Sequence, residues 1–516
     1  MNLLTHRIIS VSTVQRLSLS ELFAAMARGE VAGFPALRPH QRPAWHMFLV
    51  QLGALALWNA KREDLASDAD EWTVILRALT PNHTDDSPWR MVAEDDTQPA
   101  FLQPPVPAGL KWSPVPTPDA LDLLITARNH DIKQTVARDV EPEDWLFALV
   151  SLQTSAGYDG AGNYGIARMN GGSSSRPMMG LVPAHGEDYR LNPSKWWRRD
   201  VERLLHERRA GHGSEFGSEG GPALLWCLDW PEGSQLDLRT LDPWFIEVCR
   251  RVRLVQSERG LSAVRAVSKA ARIDARVYRG YVGDPWAPVH INERKALTLG
   301  GGDFDYRRLA DLLFGGEWQV PLLAQPGPDE NVTDSVLVAE ALARGNSKTE
   351  GFKSRVVPVP DRAVRLFQSV TAGKLSKLQL DEIKAFDEAL RNAIALLAGR
   401  GDWDQVGKGQ YATSRSARER FDRVADRLFF PHLWRRLFAE DSDDTGVQEV
   451  EGRAFRLALL DAAVSELETS MSSVPCASIQ RPRAEARARR AFRSRVWKLD
   501  PQLQQAGRQE DIDVEF

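Results

Sequence analysis

The sequence predicts an α+β protein: an N-terminal mixed α/β domain with long Gly-rich loops over residues 1–356, and a C-terminal antiparallel four-helix bundle over 357–516. Three observations predict it. Up to about residue 356, short helix-like and strand-like runs alternate with Pro- and Gly-rich stretches. One of those stretches, AGYDGAGNYGIARMNGGSSS (156–175), holds six glycines and little apolar content, so it reads as a long loop pair. After Pro360 the chain turns to long amphipathic segments with short Gly or acidic connections, the pattern of antiparallel helices.

In order along the chain, LSELFAAMAR (19–28) reads as a first helix capped by Ser18 or Ser20. RPAWHMFLVQLGALALWN (42–59) is apolar on nearly all sides and should be a buried helix. Six prolines between Pro104 and Pro118 predict an extended surface segment over 102–118. Helical character resumes at Leu121–Arg128, Glu143–Thr154 and Trp196–Arg209, and Ala223–Leu228 reads as a strand. In the C-terminal part, helices are predicted at 361–372, 379–399, 414–439, 447–470 and 483–498, with a domain boundary inside RVVPVPDR near residue 357.

With 66 Lys and Arg against 70 Asp and Glu, the formal net charge is −4. Two stretches depart from that balance. Residues 250–279 hold nine Lys/Arg against Glu258 and Asp274, and residues 481–498 hold eight against Glu485, so each carries +7 and is a candidate for phosphate contact. Three cysteines without a C-x-x-C pair exclude a disulfide scaffold and a Cys-rich zinc site and point to a reducing cytoplasm. The N-terminus reads as lacking a signal peptide, and the apolar run Met47–Trp58 is too short for a membrane span. Sixteen Trp predict extensive packing or a partner interface.

No H-E-x-x-H, G-x-S-x-G or His/Asp spacing suggests a metal site or a catalytic triad, and no cofactor is called for. Gly160, Gly162 and Gly165 satisfy G-x-G-x-x-G, but the segment before them reads as a helix and IARMNGGSSS after them does not, the reverse of a dinucleotide site. Asn170-Gly171-Gly172, followed by three serines and Arg176, would as a lone motif be a solvated turn; in so long a loop it reads as backbone that approaches a partner closely, with the hydroxyls and Arg176 available to phosphates. RGNSKTEGFKSR (344–355) lacks P-loop spacing and is either a charged surface turn or a polar protrusion that touches nucleic acid or a partner.

The order of these features resembles the large subunit (CasA family) of the type I-E CRISPR Cascade complex, a ribonucleoprotein of antiviral defence that surveys DNA with a guide RNA. The resemblance rests on Asn2–Leu4 followed by Ser18–Phe23, on GYDGAGNYGIARMNGGSSSRP (157–177), on DPWAPV (284–289) and on ALARGNSKTEGFKSRVVPVP (341–360). It implies a non-catalytic subunit that reads the protospacer-adjacent motif (PAM) of double-stranded DNA from the minor groove, starts strand separation for guide RNA pairing and helps recruit a helicase-nuclease. The glycine loop falls on Asn170, Gly171, Gly172 and Ser173. Lys269 is the implied PAM lysine, with Arg272 as a second candidate. Asn346, Ser347, Lys348 and Thr349 are the implied strand-separating wedge. Gly160, Gly162, Asn163 and Tyr164 are the implied docking loop towards guide RNA and the other Cascade subunits: backbone, small subunit and the subunit that binds the guide's 5′ end.

NSKTEG lacks the glutamine that some members carry at the wedge tip, which leaves Lys348 or bulk alone to act there, and the Cys-rich zinc-binding insert of some members is absent. Two other readings compete: a soluble nucleotide-dependent enzyme built on the 160–165 loop, and a scaffold that only joins subunits through a Trp-rich surface and the bundle.

Overall fold

The computed structural model describes residues 1–122, 140–184, 189–211, 215–258, 260–328, 330, 334–345, 348–440 and 445–503. The chain divides into two compact units, Met1–Phe304 with Glu317–Val364, and Asp305–Gly316 with Arg365–Phe516.

The first unit is mixed α/β. Helix α1 (Leu19–Arg28) starts at Ser18, whose hydroxyl accepts from Glu21 N–H while the Glu21 carboxylate accepts from Ser18 N–H. Helix α2 (Arg42–Asn59) is buried without interruption from Pro43 to Leu57, as its all-round apolar sequence requires. It packs beside α3 (Ala69–Arg77), α4 (Pro142–Ser155) and α5 (Pro193–Arg209). Eight of the sixteen Trp, Trp45, Trp145, Trp197 and Trp286 among them, are fully buried in this unit. The high Trp count is spent on packing, and the Trp-rich outer surface invoked for a scaffold does not form there.

Its longest sheet is antiparallel: β1 (Met178–Pro183) pairs with β6 (Ser335–Gly345), which pairs in turn with β7 (Lys348–Val359) in a hairpin. A second antiparallel sheet joins Ser113–Val115, β4 (Gly260–Ala266) and β3 (Arg251–Ser257). A short parallel pair joins β2 (Leu236–Asp237) to β5 (Ile273–Asp274).

Two local expectations are corrected. The Pro-rich segment is not all surface: Leu102–Val106 is buried, because the Arg253 guanidinium donates to the Gln103 and Pro104 carbonyls and draws this backbone inward. Ala223–Leu228 is not a strand; Leu225–Cys227 forms a 3₁₀ turn and only Leu224 bridges to Ile246, since a short apolar run fits a buried turn as well as a strand. The helix expected at Leu121–Arg128 shows one turn, Pro118–Leu121, and residues 123–128 lie outside the described residues.

The second unit contains α6 (Tyr306–Phe314) and four long helices, α7 (Val370–Ala398), α8 (Arg415–Glu440), α9 (Thr445–Ser473) and α10 (Arg481–Leu499). Side-chain bridges show an antiparallel bundle. Asp387 and Glu382 of α7 meet Arg418 and Arg436 of α8. Arg420 of α8 meets Glu466 of α9, Glu468 of α9 meets Arg489 of α10, and Arg495 of α10 returns to Glu388 of α7. The helices expected at 361–372 and 379–399 are redrawn: Asp361–Val364 is one turn, and α7 begins at the Ser369 cap, whose hydroxyl accepts from Ala372 N–H. No helix among the described residues is long and apolar enough to cross a membrane.

Candidate functional site

The Gly-rich loop leaves α4 and returns to β1 beside it: Ala156 bridges to Ser175, and Arg176 N–H donates to the Ser155 carbonyl (2.8 Å). Gly157 is required at this closure, since a Cβ there would lie 2.4 Å from the Ser174 carbonyl oxygen. Two buried ion pairs hold the loop. Arg168 pairs with Glu247 (3.1 Å), whose carboxylate also accepts from Ala167 N–H, and lies over the Phe245 ring. Arg176 makes two 2.6 Å bonds to Asp284 and lies over Trp286. Burial and the neighbouring Arg176 push the Arg168 pKa down to about 10 against the pull of Glu247, so it is charged at neutral pH. The reading of Arg176 as a phosphate holder is corrected: it is 1 % exposed and committed to Asp284.

Between these pins Asn170-Gly171-Gly172 forms a turn in left-handed conformation, φ +63° at Gly171 and +80° at Gly172. Both glycines are exposed, and the Gly171 Cβ position faces open space. Glycine is favoured by the backbone here, and the turn presents main chain without side-chain bulk. Ser173 is half-buried, while Ser174 turns inward, its hydroxyl donating to the Leu299 carbonyl (2.6 Å).

Residues 160–164 form a second tight turn, Asn163 N–H donating to Gly160 O (3.0 Å). It packs directly on the segment that carries Lys269: the Gly162 carbonyl accepts from Ser268 N–H (3.0 Å), and the Tyr164 hydroxyl donates to the Lys269 carbonyl (3.2 Å). The motif is preceded by α4 and no helix opens after it before α5 among the described residues, so the geometry of a dinucleotide site is absent there.

The basic stretch 250–279 is divided: Arg265, Lys269, Arg276 and Arg279 are exposed, while its other described cations turn inward. Arg250, Arg251, Arg253 and Arg272 are buried, and each donates to backbone carbonyls, Arg272 to Leu228 and Asp229 (3.0 Å each). Burial and the nearby Arg251 push the Arg272 pKa down to about 10. Arg272 is thereby a support for the turn, with no guanidinium free to reach a ligand, whereas Lys269 is exposed. Lys269 N–H is anchored on Glu232 (2.9 Å); burial raises the Glu232 pKa, but this bond and Arg251 outweigh it and hold the carboxyl below its ordinary value.

These elements surround one groove of about 830 Å³, lined by Tyr158, Tyr164, Asn170, Gly171, Gly172 and Lys269. Gln235 and Arg276 line it as well. Arg276 belongs to the basic stretch 250–279, whereas no sequence pattern singles out Gln235, which reaches the groove through the pairing of β2 with β5. The turn end of the β6/β7 hairpin is tied to the same loop: Leu342 and Ser175 exchange two bonds (2.9 and 2.7 Å), and Arg344 pairs with Asp159 (2.9 Å). Asn346 and Ser347 lie outside the described residues; Lys348 and Thr349 are paired in the hairpin with Gly345 and Arg344. Among the described residues, no group of three or more His, Cys, Asp or Glu is placed to hold a metal.

No protein-family model matches the sequence, and no curated protein matches it. The fold does match solved structures over nearly the whole chain. The CRISPR-associated protein Cse1 of Acidimicrobium ferrooxidans matches with a TM-score of 0.62 at 15 % identity, covering 96 % of this chain and 98 % of that one. CasA of Thermus thermophilus matches at 0.63 and 14 % identity, covering 96 % and 99 %. Cse1 of Thermobifida fusca matches at 0.63 and 12 %, covering 96 % and 98 %. The chain thus has the fold of the Cse1/CasA structures, mixed α/β with a C-terminal helical region.

Proposed function

We propose that this protein is the non-catalytic large subunit of an RNA-guided CRISPR surveillance complex of the Cascade type, and that its groove receives the PAM segment of target DNA from the minor-groove side. The observation that carries this reading is the convergence of a pinned Asn-Gly-Gly turn, an exposed Lys269 and the 160–164 turn on one groove. A minor groove about 6 Å wide admits main chain where bulky side chains clash, and its floor offers few distinguishing groups, so glycine backbone with an amide and a cation at its edge is suited to it. Asn170, Gly171, Gly172 and Ser173 would sit in the groove of the duplex, with Lys269 beside them. Asn346, Ser347, Lys348 and Thr349 would part the first base pairs, and Gly160, Gly162, Asn163 and Tyr164 would face the guide RNA and neighbouring subunits. Exchange of a DNA duplex for an RNA–DNA hybrid is nearly balanced in free energy, so a few such contacts decide whether unwinding begins. Cutting is left to a recruited helicase-nuclease.

The test is a gel shift of the reconstituted complex on duplexes with intact and scrambled PAM. Gly171→Asp puts a carboxylate and a strained φ into the turn, and Lys269→Ala removes the cation; each should abolish the preference for the intact PAM while the complex still assembles. Unchanged PAM-dependent binding in both variants overturns the reading.

A further inference from the structure

The groove has a second wall that the Asn-Gly-Gly turn does not supply. Gln235 stands one residue before β2, and Arg276 two residues after β5, and both line the groove with exposed side chains. Neither side chain makes a hydrogen bond or ion pair among the described residues, and the same holds for Asn170 and Lys269. The backbone under Gln235 is fixed closely. Leu236 N–H donates to the Arg272 carbonyl (2.8 Å) and Leu236 pairs with Ile273. The buried Arg272 guanidinium binds the Leu228 and Asp229 carbonyls and lies over Trp230, while Glu232 accepts from Lys269 N–H. Segment 228–236 is therefore held to segment 269–273 at both ends, which sets Gln235 and Lys269 at a defined spacing across the groove.

We infer that Gln235 is a second sequence-reading residue of this site and that Arg276 is its phosphate-contacting cation; the inference rests on the groove receiving a DNA duplex. An amide is suited to the minor-groove floor: its NH₂ donates to adenine N3 or thymine O2, and its oxygen accepts from the guanine 2-amino group. An exposed Arg on the same wall is attracted to the phosphates that border the groove, whatever the sequence. Together with Asn170 and Lys269, the groove then offers two amides and two cations to a run of base pairs.

The experiment is binding of the reconstituted complex to a pool of PAM-randomised duplexes, with bound sequences counted. Gln235→Ala should flatten the preference at one base pair by about tenfold and leave the other positions unchanged. Gln235→Glu, which can only accept, should move that position towards G·C. Arg276→Ala should weaken all sequences alike and lower the slope of log affinity against log salt by about 1. Preferences identical to the parent in both Gln235 variants, in a complex whose binding is lost with Gly171→Asp, overturn this inference and leave the groove reading standing. If Gly171→Asp also binds normally, the groove reading falls and this inference falls with it.

Discussion

Residues 250–279 and 481–498 carry the same formal charge, +7, and the structure buries about half of the cations of the first and none of the second. In the first stretch four arginines are buried and spend their donors on carbonyls: Arg250 on Gly157, Arg251 on Trp230, Arg253 on Pro104 and Arg272 on Leu228. In the second, α10 buries Ala484, Ala488, Phe492 and Val496 at four-residue spacing and turns its cations outward, where Arg490, Arg493 and Lys498 are exposed. The difference follows from what surrounds each stretch. Irregular backbone leaves carbonyls without ladder partners, a buried orphan carbonyl is costly, and a guanidinium with five donors satisfies several at once. A helix satisfies its own carbonyls except at its ends. Arg481 and Arg487 follow the same rule: they bind the carbonyls of Val474 and Gly401, just past the ends of α9 and α7. Equal local charge thus goes half to scaffold in the first unit, where Arg265, Lys269, Arg276 and Arg279 stay exposed, and to the helix surface and its ends in the second.

The contrast can be broken by substitution. The largest effect belongs to Arg176→Ala, which strands the buried Asp284; it should cost about 3–5 kcal/mol in denaturant unfolding of the first unit. Arg272→Ala should cost about 1–3 kcal/mol, because two buried carbonyls lose their donor, and should weaken protection of the Lys269 amide from hydrogen exchange. On α10 the effects shrink. The half-exposed Glu468 is held below its ordinary carboxylate value by its bond to Arg489, so its contribution is present above the unfolded pKa and disappears as pH falls through the folded one. That contribution should be at most about 1 kcal/mol, seen as a slightly smaller acid loss of stability in Arg489→Ala. Arg490→Ala, on the exposed face, should stay within about 0.5 kcal/mol of the parent. An Arg272→Ala variant as stable as Arg490→Ala would erase the distinction between the two stretches.

How much of this was legible in the sequence depends on the range of the interaction. The all-round apolar run of α2, the Ser18–Glu21 box and the amphipathic helices of the bundle are local patterns and could be read directly. The Asn-Gly-Gly turn was legible as a special backbone because two glycines in a polar loop suggest left-handed φ. The pins of that turn were not legible. Arg168 finds Glu247 79 residues away and Arg176 finds Asp284 108 away, and no periodicity marks such pairs, although Arg176 and Asp284 both fall in stretches that carry the family resemblance. The charge of Arg272 is visible in the sequence, but its burial against the Leu228 and Asp229 carbonyls is not. An isolated glutamine after Gly-Ser, Gln235, carries no pattern; the β2–β5 pairing brings it to the groove.

If the Asn170–Gly172 turn and Lys269 act as one reading head, damage to either should remove PAM preference. The most direct measurement is the affinity of the assembled complex for intact-PAM against scrambled-PAM duplex, taken for the parent, Gly171→Asp and Lys269→Ala. A clear preference in the parent that collapses to unity in both variants, with assembly intact, is the predicted result. A preference that survives in both variants contradicts it.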